Sequence, residues 1–273
     1  NERTYPFCPG CGHGPILDAV DRALALRAAE PDRVVIVSDI GCSGLSDQYF
    51  ATSAFHGLHG RSITYASGIK LADPDLEVLV VMGDGGTGIG GAHLINAARR
   101  NVGITVLVMN NLNFGMTGGQ HSTTTPAGAI ITTTPGGNLE HPLDICGTAT
   151  VNGAAYAYRG TSFDDDLGER IAEAMAHPGF AVLDVWELCS AYYVRTNRYS
   201  RRGMEATMEE LGLARGHHAR REVPEFATAY REAAAADPSP VRRPAGIPAD
   251  HRSSLQGRHG VLLAGAAGGR VLS

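Results

Sequence analysis

A chain of 273 residues, 43% hydrophobic and 19% charged, can bury the core of one large α/β domain with an appendage, or of two small domains. Its formal net charge of −5, with basic residues scattered apart from the run at 198–202, excludes the footprint of a nucleic-acid binder. No apolar stretch approaches the ~20 residues of a membrane span, residues 1–14 lack a signal-peptide pattern, and five cysteines argue against a disulfide framework. The expected compartment is the cytoplasm, and metal, cluster or redox chemistry is the expected use of the thiols.

In chain order, a helical pattern at 16–29 follows Pro15, a residue tolerated in a helix's first turn. Apolar, β-branched runs at 34–37, 78–82, 104–109 and 180–185 are too short and too uniformly apolar for surface helices, and predict buried parallel strands. A helix at 89–100 puts Ile89, Ala92, Ile95 and Ala98 on one side, and another starts near Asp144. Alternating strands and helices predict an α/β fold, a doubly wound and mostly parallel sheet with a C-terminal extension. Residues 115–142, rich in Gly, Thr and Pro, form a loop long enough to be functional. The pattern ends near 200, so a site-bearing domain is expected at 1–200 and an extension at 201–273. The extension should hold short helices at 203–216 and 224–236, a Pro/Arg-rich segment at 238–248 and an apolar run at 260–269.

Thirty-five glycines are the compositional anomaly. Several fall in Gly83-Asp84-Gly85, which is followed 24 residues later by Asn110-Asn111. Asp84 ends one predicted strand and Asn111 the next. Parallel neighbours would bring both to the carboxyl edge of the sheet, where ligands bind in open α/β folds. A carboxylate, an amide oxygen and a backbone carbonyl suit Mg²⁺ shared with phosphate, while Gly85, Gly86 and Gly88 let backbone approach an anion. Two unrelated turns, or a phosphate site without thiamine, are the alternatives. The GDG–x24–NN pattern resembles the thiamine diphosphate motif of that enzyme superfamily. The resemblance implies Asp84, the Asn111 side chain and the Asn113 carbonyl as Mg²⁺ ligands.

Cys8-Pro9-Gly10-Cys11 alone fits a zinc half-site, a redox pair or half of a cluster site. Cys42 and Cys189 follow predicted strands and project toward the edge that carries Asp84, so four thiolates can close a Cys₄ site. The segments FCPGCGHG at 7–14, SDIGCS at 38–43, His59-Gly60-Arg61, GDGGTGIGGAHLINAARRN at 83–101 and MNNLNFGMTGGQ at 109–120 resemble the β subunit of 2-oxoacid:ferredoxin oxidoreductases over about residues 5–200.

That resemblance implies a [4Fe–4S] cluster on Cys8, Cys11, Cys42 and Cys189. The last departs from the family by lacking flanking prolines, and zinc stays the alternative occupant. Cys146 reads as a buried spare thiol. The cofactor pocket is expected from Ile40, Gly41, Ser43 and His59, from Gly83, Asp84, Gly85 and Gly86, and from Asn111, Asn113, Gly115, Met116 and Thr117. His59 and Arg61 are the candidate catalytic residues, meeting diphosphate or substrate carboxylate.

The implied reaction is thiamine-dependent oxidative decarboxylation of a 2-oxoacid to acyl-CoA and CO₂, or its reverse, with coenzyme A as co-substrate and electrons leaving through the cluster to ferredoxin. No glutamate suited to the aminopyrimidine ring is evident, and in the family a partner α subunit supplies it. Activity is therefore expected only in a hetero-oligomer, (αβ)₂ or larger, and the run at 260–269 resembles the start of the family's γ-type domain. Gly118 would leave room for a longer substrate, which favours 2-oxoglutarate. A non-redox thiamine decarboxylase or synthase with a structural Cys₄ metal, and an iron–sulfur electron-carrier module, are the competing readings.

Overall fold

The computed structural model describes residues 4–236. Among them, seven strands form one sheet: β1 (Val34–Ser38), β2 (Ser53–His56), β3 (Glu77–Gly83), β4 (Thr105–Asn110), β5 (Tyr156–Thr161), β6 (Ala181–Trp186) and β7 (Gly216–Arg220). Their order is β2-β1-β3-β4-β6-β5-β7, parallel throughout except β7, which pairs antiparallel with β5. The helices are α1 (His13–Leu26), α2 (Ser62–Ala72), α3 (Asp84–Ile89), α4 (Gly91–Arg100), α5 (Ile145–Val151), α6 (Leu167–Ala176), α7 (Tyr193–Asn197), α8 (Arg201–Glu210) and α9 (Phe226–Ala236).

The strand pleat sorts side chains onto two apolar layers. Val35, Val37, Val78, Val80, Val106 and Val108 pack with Ile63 of α2, Leu94 of α4 and Ile145 of α5. Val34, Ile36, Leu79, Val81 and Leu107 face Ile16 and Val20 of α1 and Ile171 of α6. Burial on both faces is why these strands read as unbroken apolar runs, and each buried Val, Leu or Ile contributes about 1.5–3 kcal/mol. The four expected strands and the doubly wound α/β class are as the sequence indicates.

Elsewhere the structure departs from expectation. The helix expected at 89–100 starts at Gly91 as α4, because Ile89 ends a separate short helix, α3, and Gly90 between them is a poor interior helix former. The strand β5 was not legible because it carries Arg159, which is fully buried and bonds Asp184 Oδ2 on β6 at 3.0 Å. It also pairs with Asp144, the N-cap of α5. The Gly-His-His-Ala-Arg strand β7 extends the sheet past residue 200, and the compact unit accordingly runs to Glu232. A second unit, 233–273, is described only to Ala236, so the expected segments at 238–248 and 260–269 lie outside the described residues. Among the described residues no helix is long and apolar enough to cross a membrane.

A third apolar cluster orders the long loop after β4. Leu112, Ala129 and Ile131 of the loop pack on Trp186, Tyr193, Met204 and Met208. Thr125 Oγ1 also donates to Leu112 O at 2.6 Å, and Asn138 Nδ2 to Thr125 O at 2.8 Å.

Candidate functional site

Parallel pairing places Gly83 opposite Met109, so the turns after β3 and β4 leave the sheet side by side. Between them opens a cleft. From the β1 end, Ile40, Gly41, Cys42 and Ser43 line it, joined by His59. Gly83, Asp84, Gly85 and Gly86 form its floor. Asn111, Asn113, Gly115, Met116 and Thr117 close it from the β4 side. Gly86 is pressed on a buried carboxylate, and a Cβ there would overlap Asp39 Oδ2 at 1.7 Å. Backbone therefore forms that wall.

Asp84 is 2% exposed, and its Oδ2 accepts from Thr124 Oγ1 at 2.9 Å and from Ser122 Oγ. Burial pushes its carboxyl up to about 6, against the pull of those two hydrogen bonds. One terminal atom of the Asn111 amide lies 3.2 Å from Asp84 Oδ1 and 2.6 Å from the Asn113 carbonyl oxygen. With nitrogen there, the amide donates to both. With oxygen there, a carboxylate, an amide and a carbonyl oxygen converge, as around a hard cation. Oxygens sharing Mg²⁺ at ~2.1 Å stand roughly 3 Å apart, so the residues fit that ion.

Three thiols gather beside this oxygen cluster. A Cβ added at Gly115 would lie 3.6 Å from Asn111 Nδ2 and 3.7 Å from the sulfurs of both Cys42 and Cys189. Cys11 joins them. Burial pushes the Cys42 thiol up, Cys11, Cys189 and Glu187 add to the rise, and His13 opposes it. Cys8 is exposed at the other end of the turn closed by Cys11 N donating to Cys8 O at 3.0 Å. That turn docks on the chain before Cys189 through Gly12 N to Leu188 O, 3.2 Å. Thiolates from a turn and two strand ends fit an iron–sulfur cluster. Cys146 is apart from them, fully buried in α5 with burial holding its thiol well above 9.

His59 Nδ1 lies 3.4 Å from Asp39 Oδ1 without a hydrogen bond, while that oxygen accepts from Gly60 N at 2.8 Å. The ring stands edge-on to Phe114 at 5.9 Å. Arg61 is placed differently: it is exposed, does not line the cleft, and contacts His93 of α4. Thr117 Oγ1 is engaged in its own turn, donating to Gln120 Oε1 at 2.6 Å. Gly118 has φ +119°, so its backbone requires glycine, and the room it leaves is not what selects that residue.

Sequence reasoning missed Asp39, Ser122, Thr124 and Glu187. Glu187 is 1% exposed at the end of β6 and pairs with the buried His13, Nδ1 to Oε1 2.5 Å. Burial alone would lower the His13 imidazole, but Glu187 and Cys11 outweigh it and hold it well above 6.5.

Comparison with known proteins identifies the family. Residues 39–185 match the family model "Thiamine pyrophosphate enzyme, C-terminal TPP binding domain". The 2-oxoglutarate synthase subunit KorB of Archaeoglobus fulgidus is 46% identical over 188 residues, 68% of this chain and 70% of that protein. The 2-oxoacid:ferredoxin oxidoreductase subunit beta of Saccharolobus solfataricus is 41% identical over 198 residues, 71% of this chain and 65% of that one. A solved structure of 2-oxoglutarate:ferredoxin oxidoreductase from Magnetococcus marinus, with 2-oxoglutarate, coenzyme A and succinyl-CoA bound, superposes with a TM-score of 0.78 at 29% identity, covering 93% of each chain. With its thiamine pyrophosphate-binding domain at 39–185, the chain belongs to the β subunits of the 2-oxoacid:ferredoxin oxidoreductases.

Proposed function

We propose that this β subunit, joined to an α subunit, performs the oxidative decarboxylation of 2-oxoglutarate to succinyl-CoA and CO₂, or its reverse, and passes the electrons to ferredoxin. Supporting the substrate are the 2-oxoglutarate synthase names of its relatives and the ligands of the Magnetococcus marinus structure. The observation that carries the mechanism is the position of Gly115, whose added Cβ would lie within 3.7 Å of Asn111 and of two cysteine sulfurs. A metal-diphosphate site and a thiol cluster thus share one wall.

In this reading Asp84, Asn111 and the Asn113 carbonyl hold Mg²⁺, and Cys8, Cys11, Cys42 and Cys189 hold a [4Fe–4S] cluster. When bound, thiamine diphosphate supplies the electron sink for CO₂ loss, and the cluster accepts single electrons. The chain itself orients and excludes water. Ile40, Gly41, Ser43, Met116 and Thr117 surround the cofactor; the turn Gly83–Gly86 brings backbone against the diphosphate. His59, beside Asp39, faces the substrate, and Arg61, exposed beside His93, meets substrate or coenzyme A from the rim. The aminopyrimidine partner comes from the α subunit in an (αβ)₂ or larger cytoplasmic assembly, with a γ-type part joined to either chain.

The test is an anaerobic assay of the purified complex, reading reduction of methyl viologen with 2-oxoglutarate or pyruvate, each with and without coenzyme A. Coenzyme A-dependent reduction with 2-oxoglutarate, at least tenfold faster than with pyruvate, is expected. Equal rates would overturn the substrate, and no reduction with any 2-oxoacid would overturn the reaction.

A further inference from the structure

At the end of β6 lies a buried ion pair that the oxygen cluster and the four-cysteine set leave without a role. Cys11 Sγ, His13 Nδ1 and a Glu187 carboxylate oxygen all lie within 4.8 Å of one another. Glu187 is 1% exposed; His13 Nδ1 lies 2.5 Å from its Oε1 as an ion pair, and neither carboxylate oxygen accepts a hydrogen bond among the described residues. Desolvating a carboxylate this completely is unfavourable, and one imidazole offsets only part of that. An arrangement that costs stability at a site calls for a function.

Its construction is specific. Gly12, between Cys11 and His13, is packed flush on Glu187, where a Cβ would lie 2.4 Å from Glu187 Cβ and 2.6 Å from Oε2. The same residue docks through its N–H on Leu188 O. The cysteine turn therefore cannot sit on the strand end without bringing His13 against Glu187. The imidazole Nδ1 is then aimed between that carboxylate, at 2.5 Å, and the Cys11 sulfur, at 3.5 Å. Phe7 covers the other side of the ring, with centroids 4.9 Å apart.

We propose that Glu187 and His13 are positioning residues that set the reduction potential of the cluster held by Cys11, His13 through a hydrogen bond to the Cys11 sulfur and Glu187 through its buried charge and its grip on the imidazole. This rests on the four-cysteine cluster reading. Adding an electron to a cluster is opposed by a nearby buried anion and favoured by donors to its sulfurs, and both effects are strong where water is absent. Glu187 thus keeps the cluster a low-potential donor, suited to an acceptor of the ferredoxin class, while His13 limits how low it falls.

The experiment is an anaerobic potentiometric titration of the αβ complex, following the reduced-cluster EPR signal in wild type, Glu187→Gln, His13→Phe and His13→Asn. The midpoint should move positive in Glu187→Gln and negative in His13→Phe. His13→Asn, whose amide nitrogen can take the Nδ1 place but carries no charge, should move negative by less than His13→Phe. A Glu187→Gln potential that is unmoved or more negative overturns the inference, and if that variant fails to assemble, an unmoved or positive His13→Phe potential does so. Absence of any cluster signal in wild type would instead sink the four-cysteine reading on which it stands.

Discussion

Thr124 Oγ1 stands 2.9 Å from Asp84 Oδ2 and 2.9 Å from Asn110 Oδ1. One hydroxyl of the long loop therefore bridges the two strand ends that carry Asp84 and Asn111. Asn110 in turn donates to Asp184 Oδ1 at 2.9 Å, so the bridge continues into the buried Arg159–Asp184 pair.

Replacing Thr124→Val keeps the shape and removes the donor. Losing a hydrogen bond to a buried acceptor should cost about 1–3 kcal/mol of stability. Partners behind metal ligands typically matter about 10–100-fold in affinity, and a comparable weakening of Mg²⁺–thiamine diphosphate binding is expected. Titration calorimetry of the complex checks it. An affinity equal to wild type would mean that the loop is held without this bond.

The cysteines separate by role. Cys189→Ser should abolish the visible absorption and EPR signal of the cluster, because its sulfur shares the wall at Gly115 with Cys42. Cys146→Ala, altering a thiol buried in α5, should keep full cluster content and lose about 1–2 kcal/mol of stability as a small core truncation. Iron analysis of both variants distinguishes them. Loss of iron in Cys146→Ala would contradict the assignment.

Arg159 is fully buried between Asp184 and Asp144. Arg159→Met leaves Asp184 without its cation and should destabilise by about 3–5 kcal/mol in urea unfolding. Adding Asp184→Asn removes the orphaned charge and should recover part of that loss. A double variant as unstable as the sum of its parts would show that the pair is not coupled.

Glu225 accepts from Gly103 N at 2.9 Å and Thr228 N at 2.8 Å, tying the start of α9 to the turn before β4. Burial alone would raise its carboxyl, but the backbone N–H groups of Ala227, Thr228 and Gly103 outweigh it and hold it below 4.5. A carboxyl lowered on folding stabilises fully above its unfolded value and loses that contribution as pH falls through the folded one. Glu225→Gln should therefore cost about 1 kcal/mol at pH 7, and the difference from wild type should shrink below pH 4.5. A difference constant from pH 7 to pH 3 would rule out this linkage.

Much of the site was legible because it lies at strand ends. Asp84 and Asn111 close two apolar runs, and parallel register carries them to one edge. The cysteines Cys42 and Cys189 were placed by the same logic. Ser122 and Thr124 were not, since the loop holds many hydroxyl residues and only the packed chain decides which two reach Asp84. Glu187 left one trace in the sequence, a carboxylate directly after an apolar strand that ends at the site. Strand β5 was hidden because its stability depends on pairing Arg159 with Asp184, a contact that no local periodicity encodes.

The most direct test of the account is the anaerobic absorption and EPR spectrum of the purified αβ complex, before and after 2-oxoglutarate plus coenzyme A. The account predicts a broad charge-transfer band that bleaches on substrate addition, with a reduced-cluster signal that appears with it and is lost in Cys8→Ser. A colourless complex holding stoichiometric zinc, with no signal under either condition, would contradict it.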